Sequence, residues 1–120
     1  MSMHRKAFAT PDDHRDFPQG TMDLVQIEGM TVGRGTMQPG WRWSEHVKPL
    51  VGTASCEVPH TGYVVSGHVG VRLDDGTEME FGPGDVYVIP AGHDGWTIGD
   101  EPYVSVEWSG TAAEFAKPTS

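Results

Sequence analysis

Three imidazoles and one thiol carry most of the chemistry this chain has to offer. His46 ends the stretch Gly40-Trp-Arg-Trp-Ser-Glu-His46, His60 opens His60-Thr-Gly-Tyr-Val-Val-Ser-Gly67, and His93 closes Pro90-Ala-Gly-His93. A neutral imidazole is a good ligand for zinc, iron, copper or nickel, and a trio that leaves a coordination position open to water or substrate is what a catalytic metal needs. Cys56, in the spacing Cys56-x3-His60, adds a candidate soft ligand. Lys48, two residues beyond His46, is the candidate catalytic side chain, placed to receive an anionic substrate or donate a proton. Arg42 has the geometry to hold a substrate carboxylate through two parallel hydrogen bonds.

Each residue also has a purely architectural role open to it. His46 fits a hydrogen-bonded interior histidine, His93 a turn or capping residue, and Cys56 a small buried hydrophobe. Lys48 fits a solvated rim position, and Arg42 an ion pair with an aspartate or glutamate. His4, His14 and His68 fit no site and read as surface residues.

Bringing the three histidines together requires elements that return to one point. Leu24, Val25, Ile27, Met30 and Val32, broken by Gly29, Gly33 and Gly35, predict two strands between Met22 and Met37. Trp41 to Val47 alternates apolar with polar, which predicts a strand with Trp41, Trp43 and Val47 on one face and Arg42, Ser44, His46 and Lys48 on the other. Thr61 to Ser66 and Val69 to Leu73 predict a hairpin across Ser66-Gly67, and Asp74-Asp75-Gly76 the next turn. Thr77 to Phe81, a buried strand Val86 to Ile89, and a last pair formed by Thr97–Ile98 and Tyr103–Trp108 complete the set. Short strands with turns every eight to twelve residues, and no alternation of strands with helices, specify an all-β sandwich or barrel. The chain divides into an arm over 1–20, a barrel over 21–109 and a tail over 110–120 with a helical turn at Thr111 to Ala116.

The 120 residues suffice for one domain, and 16 glycines with 9 prolines suit strands and turns better than helices. A formal charge of −9 with no basic cluster excludes a polyanionic partner such as nucleic acid. One cysteine leaves no intramolecular disulfide, there is no signal-peptide core at the start, and no apolar run reaches the length of a membrane span. These features predict a cytoplasmic protein with no membrane partner. Trp41, Trp43 and Val47, on one strand face, predict a homodimer surface.

The spacing of the glycines, prolines and histidines resembles the cupin superfamily. Gly40 and His46 match the start of its first motif and Gly67 the end, while Gly84, Pro90 and Gly92 match the second. The resemblance implies a cupin-type double-stranded β-helix, a jelly-roll barrel, and a metal inside it. Only His46 stands at an expected histidine position. Lys48 occupies the second histidine position, His60 the glutamate position and Gly95 the last histidine position, with His93 two residues earlier and so on the same strand face. The implied site is His46, His60 and His93, with Cys56 as a further donor, around a divalent zinc, nickel or iron ion. Its less anionic character argues against manganese. Such a site meets a small organic ligand either as a metal-dependent enzyme or as a non-catalytic binding or sensing module.

Overall fold

A computed structural model describes residues 2–108. The order is β1 (Asp13–Phe17), β2 (Gly20–Ile27), β3 (Met30–Met37), α1 (Trp43–His46), α2 (Lys48–Val51), β4 (His60–Ser66), β5 (His68–Leu73), β6 (Glu78–Phe81), β7 (Val86–Ile89), β8 (His93–Ile98) and β9 (Tyr103–Glu107). Six strands form one antiparallel sheet in the order β1-β2-β3-β9-β4-β7, and three form a second in the order β6-β5-β8. The core lies between the sheets, where Met22, Leu24, Val47 and Val64 are fully buried. Each such side chain contributes about 1.5–3 kcal/mol by leaving water.

The turn chemistry explains the hairpins. Glu28 and Gly29 adopt positive φ of 47° and 76° between β2 and β3, whose register runs from Ile27 opposite Met30 to Gly20 opposite Met37. Asp75 and Gly76 turn β5 into β6, with Arg72 opposite Glu78. The arm contains β1, which pairs with β2 and forms one edge of the larger sheet. The expected tail and its helical turn lie outside the described residues.

Five expectations are corrected. The segment around Trp43 is helical, because Trp43 and Val47 lie four residues apart and bury the same side of a turn while Val47 N–H bonds Trp43 O at 2.9 Å. Pro49 then sits in the first turn of α2, where a missing N–H costs nothing. Trp41, Trp43 and Val47 are core residues, with Val47 0% exposed, so the surface they were expected to offer a second copy does not exist. β4 and β5 do not form a hairpin. They belong to different sheets, and the chain passes between them at Gly67, whose backbone lies so close to Pro102 and Tyr103 that a Cβ could not be accommodated.

The remaining two corrections share this cause. β8 and β9 also lie in different sheets, β8 against β5 and β9 between β3 and β4. β7 is an edge strand with Val86 and Val88 exposed and only Tyr87 and Ile89 buried. A four-residue apolar run cannot by itself reveal that one of its faces meets solvent.

Candidate metal centre

The loop after α2 returns to the barrel at Cys56, which pairs with the first residue of β8. Cys56 N–H bonds His93 O at 2.7 Å and Gly92 N–H bonds Cys56 O at 2.7 Å, so backbone pairing fixes the thiol beside His93. His60 opens β4 and its ring meets that of His93 at 5.0 Å between centroids, inclined by 68°. Cys56 Sγ lies 3.7 Å from His60 Nε2. One donor atom from each of Cys56, His60 and His93 falls within 4.8 Å of the others, and all three residues are buried.

The outer nitrogens of both imidazoles are engaged. His93 Nδ1–H donates to Pro90 O at 2.8 Å, and His60 Nδ1–H donates to Glu107 Oε1 at 2.7 Å. Since a carbonyl and a carboxylate only accept, both tautomers are set with Nε2 as the atom left for ligation. This is the arrangement that ordinarily orients metal-binding histidines. The donor set, one thiol and two imidazoles, suits a divalent transition ion.

Glu107 was not foreseen. It ends β9, is 7% exposed, and accepts a second hydrogen bond from the Tyr87 hydroxyl at 2.7 Å. The two residues meet across β4 because Gly62 lies opposite both of them, Tyr87 on β7 and Glu107 on β9. A Cβ on Gly62 would lie 2.5 Å from Val106 O, 2.7 Å from the Tyr87 hydroxyl and 2.9 Å from Glu107 Cγ. The alternation Tyr103, Ser105, Glu107, which carries a carboxylate into register with an aromatic and a small residue, was the available signal.

Electrostatics follow from this burial. Burial works to lower the His60 pKa, but the charge of Glu107 and the hydrogen bond to Cys56 outweigh it and raise the value to about 10. Burial likewise works to raise the Cys56 pKa, and hydrogen bonds to His60 and His93 bring it down to about 7. Burial, then the charge of Glu107, holds the Tyr87 phenol protonated and so a donor. The resulting site favours a thiolate beside a proton or a cation.

Beside these residues lies a cavity of about 50 Å³, room for a few waters or a ligand of a few heavy atoms. Met22, Met37, Trp41, Val69 and Ile89 supply apolar walls, and His60, His93, Tyr103, Ser105 and Glu107 the polar groups.

The other expected site residues lie elsewhere. His46 is on α1, half-buried, and its Nδ1 accepts the Arg42 N–H at 3.0 Å, so it does not join the group formed by Cys56, His60 and His93. Lys48 opens α2 and is exposed, away from the cavity lining. Arg42 stacks over Trp96 with its guanidinium carbon 4.8 Å from a ring centroid, and its Nη1 lies 3.6 Å from Asp94 Oδ2.

Two antiparallel sheets enclosing a histidine and cysteine group define a cupin-type β-barrel. The family model described as the EutQ-like cupin domain matches residues 22–109, and the chain belongs to that family. Among solved structures it is similar to oxalate decarboxylase from Lactobacillus farciminis in a formate complex, with 22% identity and a TM-score of 0.60. That match covers 82% of this chain and 31% of the other, so this chain spans about a third of that enzyme's length. A protein of unknown function from Rhizobium leguminosarum is 21% identical with a TM-score of 0.61, covering 90% of this chain and 96% of the other. KdgF from Halomonas sp. is 22% identical with a TM-score of 0.56, over 80% and 83%. At these identities the likeness establishes the fold. No curated protein matches the sequence. Among the described residues, no helix is long and apolar enough to cross a membrane.

Proposed function

We propose that this cupin binds one divalent transition ion through Cys56, His60 and His93, zinc foremost, with nickel and ferrous iron as the alternatives, and presents it to a small organic molecule in the adjoining cavity. The observation that supports this reading is the convergence of three donor atoms within 4.8 Å, with both imidazoles fixed by acceptors on their far nitrogens. A thiolate with two imidazoles favours zinc over harder ions such as magnesium or manganese. When bound, such an ion supplies Lewis acidity and a coordination position for an exchangeable ligand. The chain's own contributions are distinct: Glu107 and the Pro90 carbonyl orient the imidazoles, Cys56 supplies negative charge, and mostly apolar side chains wall the adjoining cavity.

The protein is further proposed to work in the cytoplasm, where a thiol ligand stays reduced. It is also proposed to form a homodimer, through the outward side of β4 and β7. Tyr63, Val65, Val86 and Val88 are exposed there, the last two at 69% and 75%. Metal analysis after purification without a histidine tag tests the central reading, together with cobalt(II) uptake by stripped protein. Near-stoichiometric metal, and a cobalt(II) absorption band in the near ultraviolet of the kind a thiolate ligand gives, are expected. Less than a tenth of an equivalent, with no uptake on reloading, would overturn it.

A further inference from the structure

We infer that Glu107 makes the cavity select a small neutral ligand over an anion. The inference rests on the metal reading of the same site and adds to it the class of molecule admitted.

Charge on the lining is the first ground. Among the described residues no lysine or arginine lines the cavity, and Glu107 is its one carboxylate. The cations that might have received an anionic substrate face elsewhere: Arg42 is held against Trp96 and Asp94, and Lys48 is exposed on α2. A buried anion-binding site needs a guanidinium, an ammonium or a fan of backbone N–H groups, and none of the lining side chains supplies a fixed positive charge.

The second ground is the charge balance of the loaded site. Both oxygens of Glu107 accept hydrogen bonds, one from His60 Nδ1–H and one from the Tyr87 hydroxyl, as a carboxylate does. His60 and Tyr87 thereby satisfy both oxygens inside the protein, where an unpaired charge would be costly. A dication held by the Cys56 thiolate and two neutral imidazoles keeps one positive charge, and Glu107 cancels it. The site is then electrically neutral with a neutral molecule in the exchangeable position, and an incoming anion would place uncompensated negative charge in a low-dielectric interior. Without Glu107 the loaded site keeps a net positive charge and attracts anions.

Size and polarity restrict the ligand further. About 50 Å³ beside Met22, Met37, Trp41, Val69 and Ile89 admits a few heavy atoms, mostly apolar, with one oxygen or nitrogen toward the metal and the Tyr103 and Ser105 hydroxyls nearby. Trp41 Nε1–H is buried with no hydrogen-bond partner among the described residues, which leaves one more unmet donor on a residue of this wall. A small alcohol, aldehyde, ketone or amide has the required chemistry.

The test compares azide with imidazole, an anionic and a neutral metal ligand, on cobalt(II)-loaded wild type and Glu107→Gln at pH 8, read from visible absorption at saturating metal. Azide affinity is expected to rise about tenfold or more in the variant, while imidazole affinity changes less than about threefold. A merely structural loosening of His60 would move both ligands together and overturn the inference, as would unchanged azide affinity. If Glu107→Gln fails to fold, Tyr87→Phe replaces it: the carboxylate remains with one donor fewer, and azide affinity is expected to stay or fall. A rise there overturns the inference. Wild-type protein that takes up no cobalt at all refutes the metal reading beneath it and the inference with it, an outcome distinct from normal cobalt uptake without charge discrimination.

Discussion

Enlarging Gly62 by a single methyl group should damage the site from within. Built in place, the alanine Cβ of Gly62→Ala meets Val106 O at 2.5 Å, the Tyr87 hydroxyl at 2.7 Å and Glu107 Cγ at 2.9 Å. The first contact is backbone of the neighbouring strand β9 and cannot swing away, so the two side chains must part. Overpacking of this kind costs about 1–3 kcal/mol. Loss of the Tyr87 to Glu107 hydrogen bond, made to a charged acceptor, adds about 1.5–3 kcal/mol. A combined loss of about 2.5–6 kcal/mol is a large part of the stability of a small domain. With Glu107 displaced, His60 loses the acceptor that fixes its tautomer, and metal affinity should fall about 10- to 100-fold.

The assay is urea unfolding of the stripped protein together with competitive zinc titration against a chromophoric chelator. Gly70→Ala serves as the comparison. Its Cβ would lie 2.4 Å from the Trp96 ring, which packs on the outer side of the smaller sheet, away from the cavity. That variant should lose about 1–3 kcal/mol of stability and keep its zinc affinity to within about threefold. The reasoning is refuted if Gly62→Ala matches wild type in both measurements, or if the two variants lose zinc affinity equally.

Three further outcomes are expected. Cys56→Ala should abolish the near-ultraviolet cobalt band and weaken zinc binding about 100-fold or more, whereas His46→Ala, altering a ring already bonded to the Arg42 N–H, should leave zinc affinity within about threefold. Zinc affinity should fall as pH falls, because binding displaces the proton raised on His60 and, below about 7, the proton on Cys56 as well. Titrations between pH 6 and 9 should therefore release about two protons per ion at the acid end and about one above pH 8, and a pH-independent affinity would contradict the assignment. In the metal-free protein the His60 contribution to stability is complete below its unfolded value near 6.5 and lost as pH rises through about 10. That of Cys56 is complete above 9.0 and lost as pH falls through about 7; the two slopes oppose each other between about 7 and 9, so denaturant midpoints should change little there and decline as pH rises from about 9 through 10. Finally, Val88→Glu should convert a dimer to monomer in sedimentation, and a wild-type monomer at micromolar concentration would exclude the β4 and β7 interface.

What the sequence by itself determined was local. Short alternating runs, the glycine and proline turns, and the phrase from Gly84 to Gly92 specify an all-β cupin barrel, because turn geometry and strand periodicity act over a few residues. Two of the three expected histidines, His60 and His93, and the suspected Cys56 come together because each stands near a strand end or a bridge that the turns already fix. Trp41 to Val47 was misread as a strand because apolar residues at positions 41, 43 and 47 satisfy two periods at once: alternation in a strand and the four-residue repeat of a helical turn. Burial of Trp43 and Val47 on one side chose the helix and carried His46 out of the group.

What only the tertiary structure decided was the meeting of Gly62, Tyr87 and Glu107. They lie on β4, β7 and β9, strands whose adjacency comes from a sheet order unrelated to their order in the chain. No short-range pattern encodes which distant strand lies beside which. That choice is made by the packing of two whole sheets, and with it comes the absence of a side chain at Gly62, the space in which Tyr87 reaches Glu107 and Glu107 reaches His60.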